Sequence, residues 1–238
     1  MCSSDLAALA YGIDKEEDQF LLVYDLGGGT LDVSVIEKVG GVLEVRAAHG
    51  NNHLGGDDFD ERLMKEVIKK FEELNKVDLS KDIKAMAQLN RLVEAGKKEL
   101  SSQPFTRLYS SFIAKKGIFS SLHLDMEIAR SEFVSLIDDL LESTKQSIDI
   151  ALKDADLKPD RIDKILLVGG STRIPAVSDL VSKHLGKVPH RDVHPELAVA
   201  YGAAVQASII AGEEVNTVLV DVSPYTLGVE YATIKGHK

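Results

Sequence analysis

The stretch from Phe20 to Ile36, FLLVYDLGGGTLDVSVI, limits what this chain can fold into more than any other. Two short apolar runs, Phe20-Leu21-Leu22-Val23-Tyr24 and Val33-Ser34-Val35-Ile36, flank Asp25-Leu26-Gly27-Gly28-Gly29-Thr30-Leu31-Asp32. Runs this short, rich in β-branched and aromatic residues and split by glycines, predict a β-hairpin rather than a helix. Three consecutive glycines strip the turn of Cβ atoms, so backbone N–H groups can come close to a ligand oxygen. Successive amides aimed into one concavity form an anion nest, and phosphate is a natural occupant. Asp25 and Asp32 bracket that nest, where bare carboxylates would repel phosphate. They make sense with a hard cation such as Mg²⁺ between them, held mostly through its waters. The competing reading is a hairpin whose glycines only permit the turn and whose aspartates face solvent.

The rest of the composition narrows the function classes. The formal net charge is -10, and no run of Lys or Arg is long enough to follow a phosphate backbone, which argues against nucleic acid as a partner. Cys2 is the only cysteine, so neither a disulfide framework nor a thiolate metal site is expected. No apolar stretch approaches membrane-spanning length, and Met1 to Leu6 lacks the basic and apolar regions of a signal peptide.

Taken in order, Leu6 to Tyr11 reads as the end of a helix stopped at Gly12, and Val42 to Ala48 as a third strand after the Gly40-Gly41 turn. Asp57 is expected to cap a helix carrying Phe59, Leu63, Val67, Phe71 and Leu74 on one face. A second helix is expected from about Lys81 to Leu100. Two β-like pieces follow, Thr106 to Phe112 and Gly117 to Met126. Ser131 is the expected cap of a long helix to Leu152, which Lys158-Pro159-Asp160 breaks. Ile165 to Val168 reads as a buried central strand running into Gly169-Gly170-Ser171-Thr172-Arg173, and Pro175 opens a helix at the position proline tolerates best. The segment from Glu196 to Ala211 is small and apolar throughout, the composition of a helix buried on most sides. Strands, then a helical insertion, then strand and helix again predict an α/β layer with a smaller α+β module inserted. The Gly169–Arg173 turn lies between strand and helix N-terminus, a second place for a ligand. Paired with the hairpin, one turn could hold phosphate and the other a nucleoside.

VYDLGGGTLDVSV, HLGGDDFDERL, ILLVGGSTRIPAV, HPELAVAYGAAVQA and VLVDVSPYTLGVE together resemble the heat-shock protein 70 family of DnaK-type chaperones, in family order over nearly the whole chain. The resemblance implies the second lobe of an actin-like (ribonuclease H-like) ATPase domain. Residues 1–54 and 133–216 would form its core, residues 55–132 an inserted outer subdomain, and residues 217–238 an interdomain linker with the start of a peptide-binding domain. It implies ATP or ADP with Mg²⁺ as ligands. Gly27, Gly28, Gly29 and Thr30 would be the phosphate loop, and Asp25 the catalytic carboxylate that reaches the metal through water. Glu94, Lys97, Lys98 and Ser101 would contact adenosine from the insertion, and Gly169, Gly170, Ser171 and Arg173 from the core. Lys98 stands where the family commonly has an arginine; an ammonium cannot stack on adenine as a planar guanidinium does. Glu196 replaces a frequent aspartate near the purine. Without the resemblance, Glu94, Lys97 and Lys98 read as a solvated charged helix face.

The same resemblance implies a nucleotide exchange factor on residues 55–132, a J-domain co-chaperone near the linker, and contacts with a first lobe and a peptide-binding domain. It implies ATP hydrolysis in the whole protein and negligible turnover by this chain alone, because the first lobe with its own phosphate loop is absent. Ser3-Ser4-Asp5 replaces the family's Glu-Pro-Thr, which removes one carboxylate near the metal. A cytoplasmic location is expected, an organellar one being left open. Two alternatives stand beside this: a non-catalytic, nucleotide-gated docking module, and a lobe of another actin-like enzyme such as a sugar kinase. Pro224-Tyr225-Thr226-Leu227-Gly228 speaks against the kinase, which has no use for such a tail.

Overall fold

The computed structural model describes residues 3–12, 17–116, 120–190, 194–213 and 218–220. The expected tail at 221–238 therefore lies outside the described residues. The glycine turn closes a hairpin as its sequence predicts: β1 (Gln19–Leu26) and β2 (Leu31–Val39) run antiparallel with Asp25 opposite Asp32. The third strand, β3 (Val42–Asn51), extends the meander through the Gly40-Gly41 turn. Two parallel strands complete a five-stranded sheet of order β6-β1-β2-β3-β7, with β6 spanning Lys164–Val168 and β7 Val218–Val220.

Strand alternation sends the two halves of each apolar run to opposite faces. Leu22, Tyr24, Leu26, Val33 and Val35 join the core beneath α4 (Arg130–Asp154) and α5 (Pro175–Leu185). Leu21 and Val23 pack instead with Ala7, Ala8 and Leu9 of α1 (Ser3–Gly12), and a Ser34–Ser4 hydroxyl contact of 3.3 Å ties that helix to the sheet. By the same alternation Asp25 belongs to the α1 face.

The insertion leaves the sheet after β3. Its helices are α2 (Gly56–Asn75) and α3 (Ile83–Leu100), followed by a separate two-stranded sheet of β4 (Phe105–Lys116) and β5 (Ser120–Ala129). Asp82 caps α3 by accepting from the Lys84 and Ala85 amides. Phe59, Leu63, Val67 and Phe71 form the buried stripe of α2, while Leu74 is exposed.

Several expectations need correction. Asp57 does not cap α2: the cap is Gly55, whose amide donates to the Asp58 carboxylate at 2.8 Å, so the helix starts earlier. Ser131 does not cap α4 either, because β5 runs straight into the helix at Arg130, whose amide donates to Pro104 and whose Nε donates to Leu100. The first β-piece of the insertion is longer than expected and the second runs on to Ala129, three residues further (its expected start at 117–119 lies outside the described residues), with a register shift beside Phe112, a non-glycine residue at φ +58°. β6 stands at the end of the sheet rather than its centre, with only a bridge from Leu166 to His190 beyond it among the described residues. Its apolar run reflects helices covering both faces, which an end strand also needs.

The apolar helix α6 (Ala198–Ala211) begins two residues later than expected and is not buried on most sides. Only Ala198 and Gly202 are buried, both against α1; a Cβ on Gly202 would lie 1.8 Å from the Leu6 carbonyl oxygen, so the two backbones touch. Tyr201 and Ile210 face solvent. Among the described residues no helix is long and apolar enough to cross a membrane.

Candidate functional site

The glycine turn, the start of α2, the last turns of α3 and the β6–α5 turn meet at one cleft of about 490 Å³. Gly28 lines it from the hairpin and Gly170, Ser171 and Arg173 from the second turn. Glu94, Lys97, Lys98 and Ser101 line it from α3, where their i, i+3, i+4, i+7 spacing sets them on one face. Glu196, just before α6, completes the wall. Stretches far apart in sequence are thus brought together.

The expected phosphate turn is locked into place by its carbonyls. Gly56 and Asp57, at the N-terminus of α2, donate their amides to Gly27 at 3.0 Å and Gly28 at 2.7 Å. Ser171 donates its hydroxyl to the same Gly27 oxygen at 2.8 Å. The Gly27 amide closes the turn on Thr30, while Gly28, Gly29 and Thr30 are exposed. The carbonyls of Gly27 and Gly28 are thus held on the α2 side.

Asp25 is the last polar residue of β1 before the turn; it is buried and does not line the cleft wall. A Cβ built on Gly169 would lie 2.8 Å from Asp25 Oδ1 and 2.3 Å from the Leu26 carbonyl oxygen. Gly169 itself stays off the cleft wall and lets the second turn pass against the end of β1. Across the hairpin, burial raises the pKa of Asp32, and a hydrogen bond from the Thr30 side chain pulls it back. Among the described residues no three His, Cys, Asp or Glu side chains gather as a metal-ligand set.

Charges along the cleft are paired. Lys98 donates to Glu94 at 2.6 Å, an exposed i, i+4 pair that lowers the Glu94 pKa and raises that of Lys98. Such a pair adds little stability and leaves both side chains free to be recruited by a ligand. Arg173 binds Glu196 through Nε at 2.8 Å and donates through Nη2 to His194 at 3.0 Å, which orients its guanidinium plane. Lys97 differs from its neighbours. It is buried and donates to Asp60 at 2.6 Å and to the Gly56 carbonyl at 2.7 Å. The reading of Glu94, Lys97 and Lys98 as one solvated face therefore fails at Lys97.

Two residues of this neighbourhood were missed in the sequence. Asp57 lines the cleft, its carboxylate 3.6 Å from where a Gly28 Cβ would stand. Asp60 sits behind Lys97. A hint was available, since Asp60 interrupts the apolar stripe of α2 next to Phe59 and a buried carboxylate there needs a cation. A model of the family described as Hsp70 protein matches residues 4–236, and the chain belongs to the Hsp70 family.

Proposed function

We propose that this chain is the second lobe of the nucleotide-binding domain of a DnaK-type chaperone, and that its cleft holds ATP or ADP. Membership of the family brings with it an actin-like ATPase fold, a chaperone nucleotide-binding domain, and ATPase activity in the full protein, with ATP or ADP and Mg²⁺ as general ligands. The observation that carries the finer reading is the convergence of the hairpin turn, α3 and the β6–α5 turn on one cleft.

The residues fit such a ligand. Gly27, Gly28, Gly29 and Thr30 would cradle phosphate. Built Cβ atoms on the three glycines meet nothing closer than 3.6 Å, so the chain itself does not require their bareness, while an approaching phosphate would. Arg173, held flat by Glu196 and His194, would stack on adenine from one side, with Lys98 on the other. Glu94, Lys97 and Ser101 would take the ribose, with Gly169, Gly170 and Ser171 closing the base end. Bound Mg²⁺ would neutralise charge on the phosphates. Asp25, buried at the mouth of the turn, would orient that ion's water and the attacking water.

Hydrolysis of this kind is catalysed by positioning and charge stabilisation. A site shared between two lobes lacks half of that preorganisation when one stands alone. We place the core at residues 1–54 and 133–216 and the outer subdomain at 55–132, with an exchange factor acting on the latter. A J-domain partner would act near the linker, residues 217–238, which joins the peptide-binding domain. Nucleotide closure would then bias the linker in a two-state coupling. Calorimetric titration of the chain with ADP and ATP in Mg²⁺, with phosphate release followed on the same sample, tests the reading. Binding with negligible turnover is expected. No binding of either nucleotide would overturn the assignment, and turnover at the rate of an intact chaperone would overturn the two-lobe argument.

A further inference from the structure

We infer that Asp60 is a positioning residue of the cleft, acting through Lys97 to fix both the nucleoside wall and the phosphate turn. The inference rests on the nucleotide reading of that cleft.

Asp60 lies one helical turn after Gly56 on α2, so its carboxylate and the Gly56 carbonyl point to the same neighbour. That neighbour is Lys97 of α3. An ammonium has three N–H groups. One goes to Asp60 Oδ2 at 2.6 Å and one to Gly56 O at 2.7 Å, which leaves one for the cleft that Lys97 lines. Gly56 is meanwhile gripped on its other side, its N–H donating to Gly27 O at 3.0 Å. There is no slack in this arrangement. A Cβ on Gly56 would stand 2.6 Å from Ser171 Oγ and 3.0 Å from Lys97 Nζ. The Lys97 ammonium is thus joined to the phosphate turn by a single residue.

Stability alone does not account for Asp60. Its Oδ1 is buried and accepts no hydrogen bond among the described residues. Glu94 and Asp57 both repel its charge, and only Lys97 favours it. A buried ion pair with an unsatisfied oxygen is weak support for a fold, and apolar pairs of similar size often replace such pairs without loss of stability. What the carboxylate supplies is an ammonium held to one position. Free of Asp60, Lys97 would swing into the cleft, and the Gly56 carbonyl would lose its bond from the ammonium, loosening the first residues of α2 whose amides grip the turn.

The test is a double-mutant cycle on the whole chain, with ADP affinity measured by calorimetry for the parent, Asp60→Asn, Lys97→Met and the pair. Asp60→Asn should weaken ADP about tenfold in the parent and not at all in the Lys97→Met background, because a residue that acts through another has no effect once that other is gone. Hydrogen exchange without nucleotide gives an independent readout: the Gly56 and Asp57 amides should exchange at least about fivefold faster in Asp60→Asn. Asp60→Glu keeps the charge and the fold but displaces the ammonium by a methylene. It should weaken ADP about threefold with its melting midpoint within a few degrees of the parent, which keeps the test alive if Asp60→Asn unfolds. Equal losses in both Lys97 backgrounds, or ADP affinity unchanged by Asp60→Asn and Asp60→Glu, would reduce Asp60 to a structural residue while leaving the nucleotide reading intact. Unaltered exchange at Gly56 and Asp57 would break the link to the turn. A parent that binds no ADP would remove the nucleotide reading and the positioning role with it.

Discussion

Gly27-Gly28-Gly29 and Gly169-Gly170 are both glycine turns at the end of a sheet strand, yet the chain needs only the second. Gly169 adopts φ +87°, where an L side chain is strained, and its missing Cβ makes room for the Leu26 carbonyl oxygen and for Asp25. None of the three hairpin glycines lies in that positive-φ region, and Gly29 has nothing within 4 Å of a built Cβ. One turn is glycine because its own neighbours demand it. The other is not made glycine by its neighbours, and under the proposed function a phosphate would make that demand instead. A glycine-rich motif therefore carries two messages that look alike in sequence, and only the surrounding atoms separate them.

The largest effect should come from the turn the fold requires. Gly169→Ala forces a Cβ against the backbone of Leu26 at positive φ, and should cost about 3 kcal/mol or more in urea denaturation. A loss below about 1 kcal/mol would mean that the β6–α5 turn relaxes freely, and the contrast with the hairpin would collapse.

Gly28→Ala should behave in the opposite way. The new methyl would meet only the Asp57 carboxylate at ordinary contact distance, so stability should stay within about 0.5 kcal/mol of the parent. ADP affinity should fall at least about tenfold, or about 1.4 kcal/mol. Undiminished binding would show that the hairpin glycines serve the turn alone.

The smallest effect concerns Asp32, at the exit of the hairpin turn. Burial raises its pKa, opposed by the Thr30 bond, so the folded chain holds this proton more tightly than the unfolded one does. Its contribution to stability is then greatest at low pH and is lost as pH rises from the unfolded value through the folded one. Asp32→Asn removes that loss. Its melting midpoint should exceed the parent's by about 1–3 °C at pH 7, with the gain shrinking below about pH 4. A gain as large at acid pH, or none at neutral pH, would mark Asp32 as solvated and detach it from the hairpin turn.

Much of this molecule was legible in the residues themselves. The alternating runs around Gly27–Gly29 specify a hairpin, the spacing of Phe59, Leu63, Val67 and Phe71 specifies a helix with one buried face, and Pro175 marks a helix start. The motif residues, through family resemblance, also named most of the cleft wall. These signals are local: each depends on backbone geometry over a few residues, and composition and periodicity report that directly. What lies against a face is not local. The sequence of α6 asks for burial, but the described fold covers only Ala198 and Gly202 and leaves Tyr201 and Ile210 open. Lys97 and Lys98 are adjacent and chemically alike, yet one is buried on Asp60 and Gly56 while the other pairs with Glu94 in solvent. Sequence determined the elements and the kind of chemistry. Which glycine the fold needs, which lysine is held and which carboxylate holds it were decided only when α2, α3 and the two turns were brought within hydrogen-bond distance, because dehydration and hydrogen-bond geometry depend on neighbours in space rather than along the chain.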